Sequence, residues 1–403
     1  MSNWADLTTG KRIKALRGTD LTQQELAEVA GVSYALIQKA EQDRGELSVG
    51  SLLKLAAALR TDVAVILGQQ APRRGMDRGS RTALRQLSDA VHESALGEWE
   101  ELDEPSSVDE LGRVRDLAWA AYWDSDTARV ATLASQVLME GQMRYAAATG
   151  DERDRLAPIL ASTYRVAAST ANGFGHRDLA LSALTSAKLL AKQASDPIMG
   201  ALLESTLSWI YLRGAKMPRA VSVAERAALA IEPSFSRASQ PELLAYGRLM
   251  ISAAVAASRR EDESAADDYI SQAHAAAARL GTDVKLYGTS FGPTAAKTEA
   301  VGIHVALKNY GRALKLAGQP DMQLLPASMS KVARNRYKLD VALAQCSAGL
   351  HDKAGDTLVE VGLDAPEWVK HQALPGVIGQ RIAKVSTARV RNISELIGVP
   401  LIA

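Results

Sequence analysis

The residues with the most obvious catalytic potential lie at 288–292, where Gly288-Thr289-Ser290-Phe291-Gly292 spells G-x-S-x-G. That pattern activates a serine when a strand turns sharply into a helix above a parallel sheet, lifting the hydroxyl toward a base and an oxyanion site. The flanking sequence has helical periodicity and lacks the alternating strands such a sheet requires, so Ser290 is read as a chance match. The histidines, His92, His176, His274, His304, His351 and His371, are scattered, with no H-E-x-x-H pair and no Cys/His spacing suited to a metal. No G-x-x-x-x-G-K-[ST] loop offers to cradle a phosphate. These residues predict no enzyme, no cofactor and no metal.

Basic clusters are the other candidate chemistry. Lys11, Arg12 and Lys14 sit together near the start, and Arg73, Arg74, Arg78, Arg81 and Arg85 follow later. Such groups suit phosphate oxygens, whose neutralisation supplies most of the sequence-independent attraction to nucleic acid. Yet within the first 70 residues eight lysines and arginines face eight acids, and the whole chain carries a formal charge of +1. Any electrostatic footprint must therefore come from local arrangement, and a single copy would hold DNA weakly.

The elements that must position these groups centre on Leu21–Glu41. Leu26, Ala27 and Ala30 fall on one face of a short helix, Gly31 and Val32 make a tight turn, and Ile37 with Ala40 forms the inner face of a second helix. Ala27 leaves room for a steep crossing, and Gly31 can take the positive φ that the corner asks for. Before this, Gly10 to Arg17 reads as a basic amphipathic helix ending at Gly18. After it, Ser48 to Leu59 places Leu52, Leu55, Ala56 and Leu59 at helical spacing, and Asp62 is expected to cap a short Val63–Leu67 helix. Five helices in roughly 65 residues suffice for a small domain with its own core.

Thr22-Gln23-x-Glu25-Leu26-Ala27, Gly31-Val32-Ser33, Ile37-x-x-x-Glu41 and Leu52-x-Lys54-Leu55-Ala56-x-Ala58-Leu59 together resemble the Cro/phage-repressor (XRE) family. That resemblance implies a second helix lying in the major groove, with Tyr34, Ala35 and Lys39 on base edges. Lys39 suits a guanine edge and Ala35 a thymine methyl, while Tyr34 departs from the shorter polar residues usual there and could stack on a sugar or pack sideways. Gln23 and Ser33 would meet phosphates, although Ser33 is an N-cap with or without DNA. Gln38 and Arg44 could add backbone or base contacts, and Lys11 and Arg12 complete the expected set. A homodimer reading a palindromic double-stranded operator is implied, its half-sites roughly 34 Å or a multiple apart.

Residues 1–68 are thus expected to form the DNA-reading domain, 69–80 a linker that lets the parts move independently, 81–110 a connecting helix and acidic loop, and 111–403 a helical repeat domain. The connecting helix runs from Arg81 to Leu96 with Leu84, Leu87, Val91 and Leu96 on one side. Residues 98–110 hold seven acids and no base, the composition of a solvated loop. A competing idea is that this run folds back on the basic helix and masks DNA binding. The single Cys346 rules out an internal disulfide framework and fits a reducing cytoplasm. Neither an apolar membrane-spanning run nor a secretion leader is found, so a cytoplasmic location is expected.

Beyond residue 110 the sequence repeats itself. Ala180, Ala220, Ala266, Ala313 and Ala354 each open a helix, and twelve residues earlier stand Ala168, Ser208, Ala254, Val301 and Ala342. Leu184 and Ala187, Ala224 and Ala227, Ile270 and Ala273, and Leu358 and Val361 follow at fixed offsets, and Pro366 ends the last unit. These offsets resemble tetratricopeptide repeats, with a longer period and a long loop at Gly281–Pro293. A further pair at about 112–147 has an ambiguous register. Pro375 to Val399 reads as one closing helix, with Val377, Ile378, Ile382, Val385, Val390, Ile393 and Ile397 apolar. The expected fold is all-α: a five-helix domain followed by an α-solenoid of helix pairs with a C-terminal cap.

The repeat register puts Arg165, Ser169, Asn172, Trp209, Arg213, Arg248, Arg336 and Asp340 on or near an inner groove, where arginines and a tryptophan suit an extended peptide or an anionic small molecule. A core position for Trp209 and ion pairing for the arginines is the competing reading. An XRE-type reader followed by such repeats resembles the RRNPP family of intracellular signal-sensing regulators, which implies repeats that dimerise the protein and bind a signal. Asparagines, which that family uses on peptide backbones, are few here, chiefly Asn172, Asn309 and Asn335, so a small-molecule or protein signal stays open. The alternative function is a protein-interaction scaffold with secondary or no DNA binding.

Overall fold

The computed structural model describes the chain except residues 1–6, 19–20, 60, 69–77, 99–104, 328, 371, 386–389 and 398–403. It contains two compact units that do not follow chain order. One comprises residues 1–76, 258–262 and 298–403, and the other 77–257 and 263–297. No helix among the described residues is long and apolar enough to cross a membrane.

The first unit begins with α1 (Thr9–Arg17), α2 (Gln23–Ala30), α3 (Tyr34–Glu41), α4 (Val49–Ala58) and α5 (Val63–Ile66). Local chemistry sets their ends. Thr22 and Glu25 form a reciprocal capping box at α2, with Glu25 N–H donating to Thr22 Oγ1 at 3.2 Å and Thr22 N–H to the Glu25 carboxylate at 2.7 Å. Gly31 closes α2 at φ +60°, the left-handed conformation the corner needs. Ser33 and Ser48 cap α3 and α4 through the N–H groups of Leu36 and Ser51. Asp62 occupies the N-cap position of α5 but makes no side-chain cap bond, so the capping expected there is absent. Ile13, Leu26, Ile37, Leu52, Leu55 and Ile66 are buried, each contributing about 1.5–3 kcal/mol by removal from water.

In the second unit, α6 (Arg78–Leu96) starts three residues before the expected Arg81, so the end of the anticipated linker is helical, and residues 69–77 lie outside the described residues. Then come α7 (Val108–Trp123), α8 (Thr127–Ala147), α9 (Gly150–Gly173), α10 (Arg177–Gln193), α11 (Pro197–Arg213), α12 (Met217–Ala230), α13 (Gln240–Arg259) and α14 (Glu263–Leu280). The acidic run 98–110 is not one loop: Asp109 and Glu110 lie in the first turn of α7, where Ser107 and Glu110 form a capping box and Asp109 pairs with Arg155 at 2.6 Å. Carboxylates at a helix N-terminus complement its dipole, which suits Asp109 and Glu110 to the start of α7. Residues 99–104 lie outside the described residues.

The spacing of small residues does predict helix pairs. Ala168 and Ala180, Ser208 and Ala220, and Ala254 and Ala266 are all essentially inaccessible. In the second of these pairs the Ser208 hydroxyl donates to the Ala220 carbonyl at 2.8 Å, an approach that a larger side chain would prevent. The expected loop at Gly281–Pro293 is instead an antiparallel hairpin, β1 (Val284–Leu286) paired with β2 (Thr289–Phe291). Its alternation, with Thr289 and Phe291 buried and Ser290 exposed, is too short to be visible among helices.

The first unit resumes within α15 (Pro293–Ala306) and continues through α16 (Tyr310–Ala317), α17 (Pro320–Gln323), α18 (Lys331–Ser347), α19 (His351–Asp364), α20 (Pro366–Lys370), α21 (Ala373–Ala383) and α22 (Val390–Ile397). Val301 with Ala313 and Ala342 with Ala354 repeat the buried small-residue pattern. The single closing helix expected over 375–399 is two helices. The helix α21 ends at Ala383 with Lys384 as its C-cap, residues 386–389 lie outside the described residues, and Val385 is 61% exposed instead of apolar core. Ile393 and Ile397 of α22 are buried, and Leu396 lies against Gly362 of α19. One apolar cluster joins Leu52, Leu55 and Ile66 of the N-terminal helices to Ile378 and Ile382 of α21. Gln380 donates to Thr9 Oγ1 at 2.7 Å across the same junction.

Candidate nucleic-acid interface

The geometry of α2 and α3 is held from behind by a buried charge network. Arg17 grips Glu41 with its Nε at 2.6 Å and Nη2 at 3.1 Å, its Nη1 donates to the Leu21 carbonyl at 2.6 Å, and Gln23 Nε2 donates to Glu41 at 2.7 Å. Burial alone would raise the Glu41 carboxyl, but hydrogen bonds from Arg17 and Gln23 and the Arg17 charge hold it below the usual carboxylate range. The same bond raises the Arg17 guanidinium. This bidentate pair ties the end of α1 to the end of α3 and fixes the angle at which α3 leaves the module. Outward from it, Ser33, Tyr34, Ala35 and Lys39 are exposed, as is Arg44 beyond the helix end, and Gln38 is half-buried. A short polar helix with one cation and one methyl on its free face matches the width and edge chemistry of a duplex major groove.

Residues 13–66 match the helix-turn-helix family model. The chain is also similar to the immunity repressor protein of Bacillus phage phi105, 40% identical over 65 residues, a stretch that covers 16% of this chain and 45% of that protein. The chain thus spans less than half the length of the curated relative it matches. No solved structure matches the chain.

Within the helix-turn-helix, two residues expected at phosphates are placed differently. Arg12 is 1% exposed, its Nη1 donating to the Ile66 carbonyl at 3.3 Å, and burial lowers its guanidinium to about 10 against the opposing charge of Asp43. It falls on the side of α1 that meets α5, where the Ile66 carbonyl receives it, whereas Lys11 and Lys14 are exposed. Gln23 is half-buried and engaged with Glu41, so its carboxamide serves α3 before any phosphate. Exchange of Lys11 for alanine should therefore weaken duplex binding and lower the salt slope by about one. Arg12→Met should instead lower the melting temperature and leave that slope intact. Equal salt slopes for the two variants would refute this division.

The residues expected on the inner groove fall in both units. In the second unit Arg165, Ser169 and Asn172 are buried on α9, with Trp209, Arg213 and Arg248 half-buried. Arg165 does not face an open groove: its Nη1 donates to the Tyr287 carbonyl at 2.7 Å, its Nη2 to Thr289 Oγ1 at 2.5 Å and its Nε to Thr206 Oγ1 at 3.3 Å. The hairpin fills that place. Its tip is held from α7 as well, where Trp123 Nε1 donates to the Gly288 carbonyl at 3.0 Å and Trp119 stacks under the Arg165 guanidinium at 4.8 Å. Burial, together with the charge of Arg248, lowers Arg165 to about 10 against the opposing effect of Tyr122. Burial likewise pushes the Tyr122 phenol up to about 12, against Arg165, Arg213 and Arg248.

Sequence reasoning missed the aromatic trio Trp119, Tyr122 and Trp123, whose rings meet edge-on with centroids 5.5 and 5.0 Å apart. Three aromatics at helical spacing in a chain that is 5% aromatic were a usable signal. In the first unit, Arg336 bonds Asp340 at 3.3 Å within α18, so this pair meets an internal need rather than presenting free groups. Burial raises the Asp340 carboxyl, and Arg336 and Arg259 oppose it. The G-x-S-x-G serine, Ser290, stands exposed on the two-stranded antiparallel hairpin, and the described residues form no parallel sheet.

Proposed function

We propose that this protein is a DNA-binding transcription regulator that reads a duplex with α3 and carries a helical-repeat body that dimerises it and responds to a signal. The observation that supports the reading most is the one-sidedness of α3. Ile37, Ala40 and Glu41 are buried against the module, while Ser33, Tyr34, Ala35 and Lys39 stand outside it. The helix-turn-helix match over residues 13–66 and the similarity to a phage immunity repressor point the same way. Tyr34, at 41% exposure, stands free to lie on a sugar. A pair of modules on a palindrome would supply the phosphate contacts that one module lacks. Signal binding is assigned to the second unit, where the charges of Arg213 and Arg248 act on Tyr122; a ligand carrying an anionic group and a flat apolar face fits those neighbours.

Selecting bound fragments from random duplex DNA tests the central part. A palindromic site should be enriched, and Lys39→Ala should lower affinity for it by about 1–3 kcal/mol, roughly 5- to 150-fold, with relaxed preference at one base pair. Ala35→Asp should abolish enrichment by setting a carboxylate against the groove. If nothing is enriched with the unmodified protein, the repeat body's role as an interaction scaffold becomes the better reading.

A further inference from the structure

A cleft of about 370 Å³ opens where the helix-turn-helix module meets the C-terminal helices of its own unit, between the loop before α4, the start of α16, the α18–α19 turn and the end of α21. Its walls include Glu46, Tyr310, Cys346, His351, Arg381 and Lys384. Arg381 is the central group. It is 12% exposed, and it reaches Glu46 Oε2 with Nη2 at 2.5 Å and Ser347 Oγ with Nη1 at 2.5 Å. Its Nε is buried with no acceptor. A charged N–H deprived of water and left without an acceptor is a costly arrangement that an added anion would relieve.

The walls suit such an anion. Lys384 is exposed beside Arg381, and His351 is held with Nδ1 toward Cys346 Sγ at 3.4 Å. Glu46 is the single carboxylate among the lining residues, and at 54% exposure it can swing into water at little cost. The thiol is pushed up to about 11 by burial, with Arg381 opposing, so Cys346 is wall rather than reagent.

We propose that this cleft binds a small anion bearing carboxylate or phosphate oxygens, which takes Arg381 from Glu46 and so loosens the module from α21. Ligand and Glu46 compete for one guanidinium. The bound anion bridges Arg381 and Lys384, and the tie between the loop before α4 and α21 is lost while the Gln380–Thr9 bond and the apolar contacts stay. By linkage, an anion that favours the loosened state shifts the equilibrium toward it by its differential affinity. The site stands independently of what α3 reads.

Calorimetric titration of the full chain with inorganic phosphate, and separately with succinate, tests this without DNA. Saturable binding is expected for at least one, and the better ligand distinguishes a phosphate-type from a carboxylate-type effector. Arg381→Gln should weaken it about tenfold or more, the size of one lost charge-assisted contact. Glu46→Gln should tighten it several-fold, because the competitor is gone, and Glu28→Gln, the same charge change on exposed α2 surface, should not. Failure of both anions to saturate, tightening by Glu28→Gln equal to that of Glu46→Gln, or weaker binding in Glu46→Gln would each overturn the proposal. Because Glu46 is exposed, its variant remains informative even if Arg381→Gln unfolds.

Discussion

Glu41→Ala is expected to be among the most destabilising single substitutions in the helix-turn-helix, costing about 3–5 kcal/mol, because it leaves a buried guanidinium without its counter-charge. The side chains of Arg17 and Glu41 are 13% and 3% exposed, so water cannot replace the lost bonds. The Gln23 amide loses its acceptor too. By contrast, removing Asp116, 70% exposed beside Arg115, should cost under about 1 kcal/mol. Urea unfolding measures both, with hydrogen exchange read at α2 and α3 for Glu41 and at α7 for Asp116. A loss at Glu41 no larger than that at Asp116 would show that the pair does not hold the recognition helix.

The same network sets a pH dependence. The folded-state pKa of Glu41 lies below its unfolded value, so its contribution is fully present above the ordinary glutamate pKa of about 4.3 and is lost as pH falls through the folded value. The stability advantage of the unmodified protein over Glu41→Gln should therefore shrink on acidification below that range. An advantage that stayed constant through it would mean that the carboxylate charge is irrelevant.

Gly288→Val is expected to release the hairpin from α7 and α9, at a cost of about 2–5 kcal/mol. Gly288 has φ +67°, a conformation a β-branched residue adopts only under strain, and a Cβ there would collide with the Trp119 ring. The carbonyl that receives Trp123 and the neighbouring one that receives Arg165 would both move. Faster amide exchange over 284–291 and a change in tryptophan emission are the measurements. The substitution should also alter any ligand response of the second unit, since Arg165 would then be left with Thr206 alone. Unchanged protection of the hairpin would refute its role as the clamped occupant of this face.

Short-range and long-range contacts differ in how far the chain's own order of residues announces them. The capping box at Thr22 and Glu25 depends on neighbours within three or four positions but was not read; the turn at Gly31 and the cap at Ser33 have the same short range, and both were legible. So were the helix pairs, because a close crossing demands small side chains at a fixed offset, and Ala180, Ala220, Ala266, Ala313 and Ala354 record that demand. The hairpin at 284–291 was not: three-residue strands are too short for alternation to stand out among helices.

Periodicity tells a residue which face of its helix is buried, and the kind of residue tells what it could bind; neither names what it is buried against. The succession of helices and the free face of α3 therefore followed from local order alone. That Arg12 turns inward, that Arg165 is engaged by Thr289, 124 positions away, and that Thr9 meets Gln380, 371 positions away, was decided by the tertiary structure. Contacts at such separation arise when whole apolar faces seek cover, and the side chains caught between those faces take whatever acceptors the packing brings.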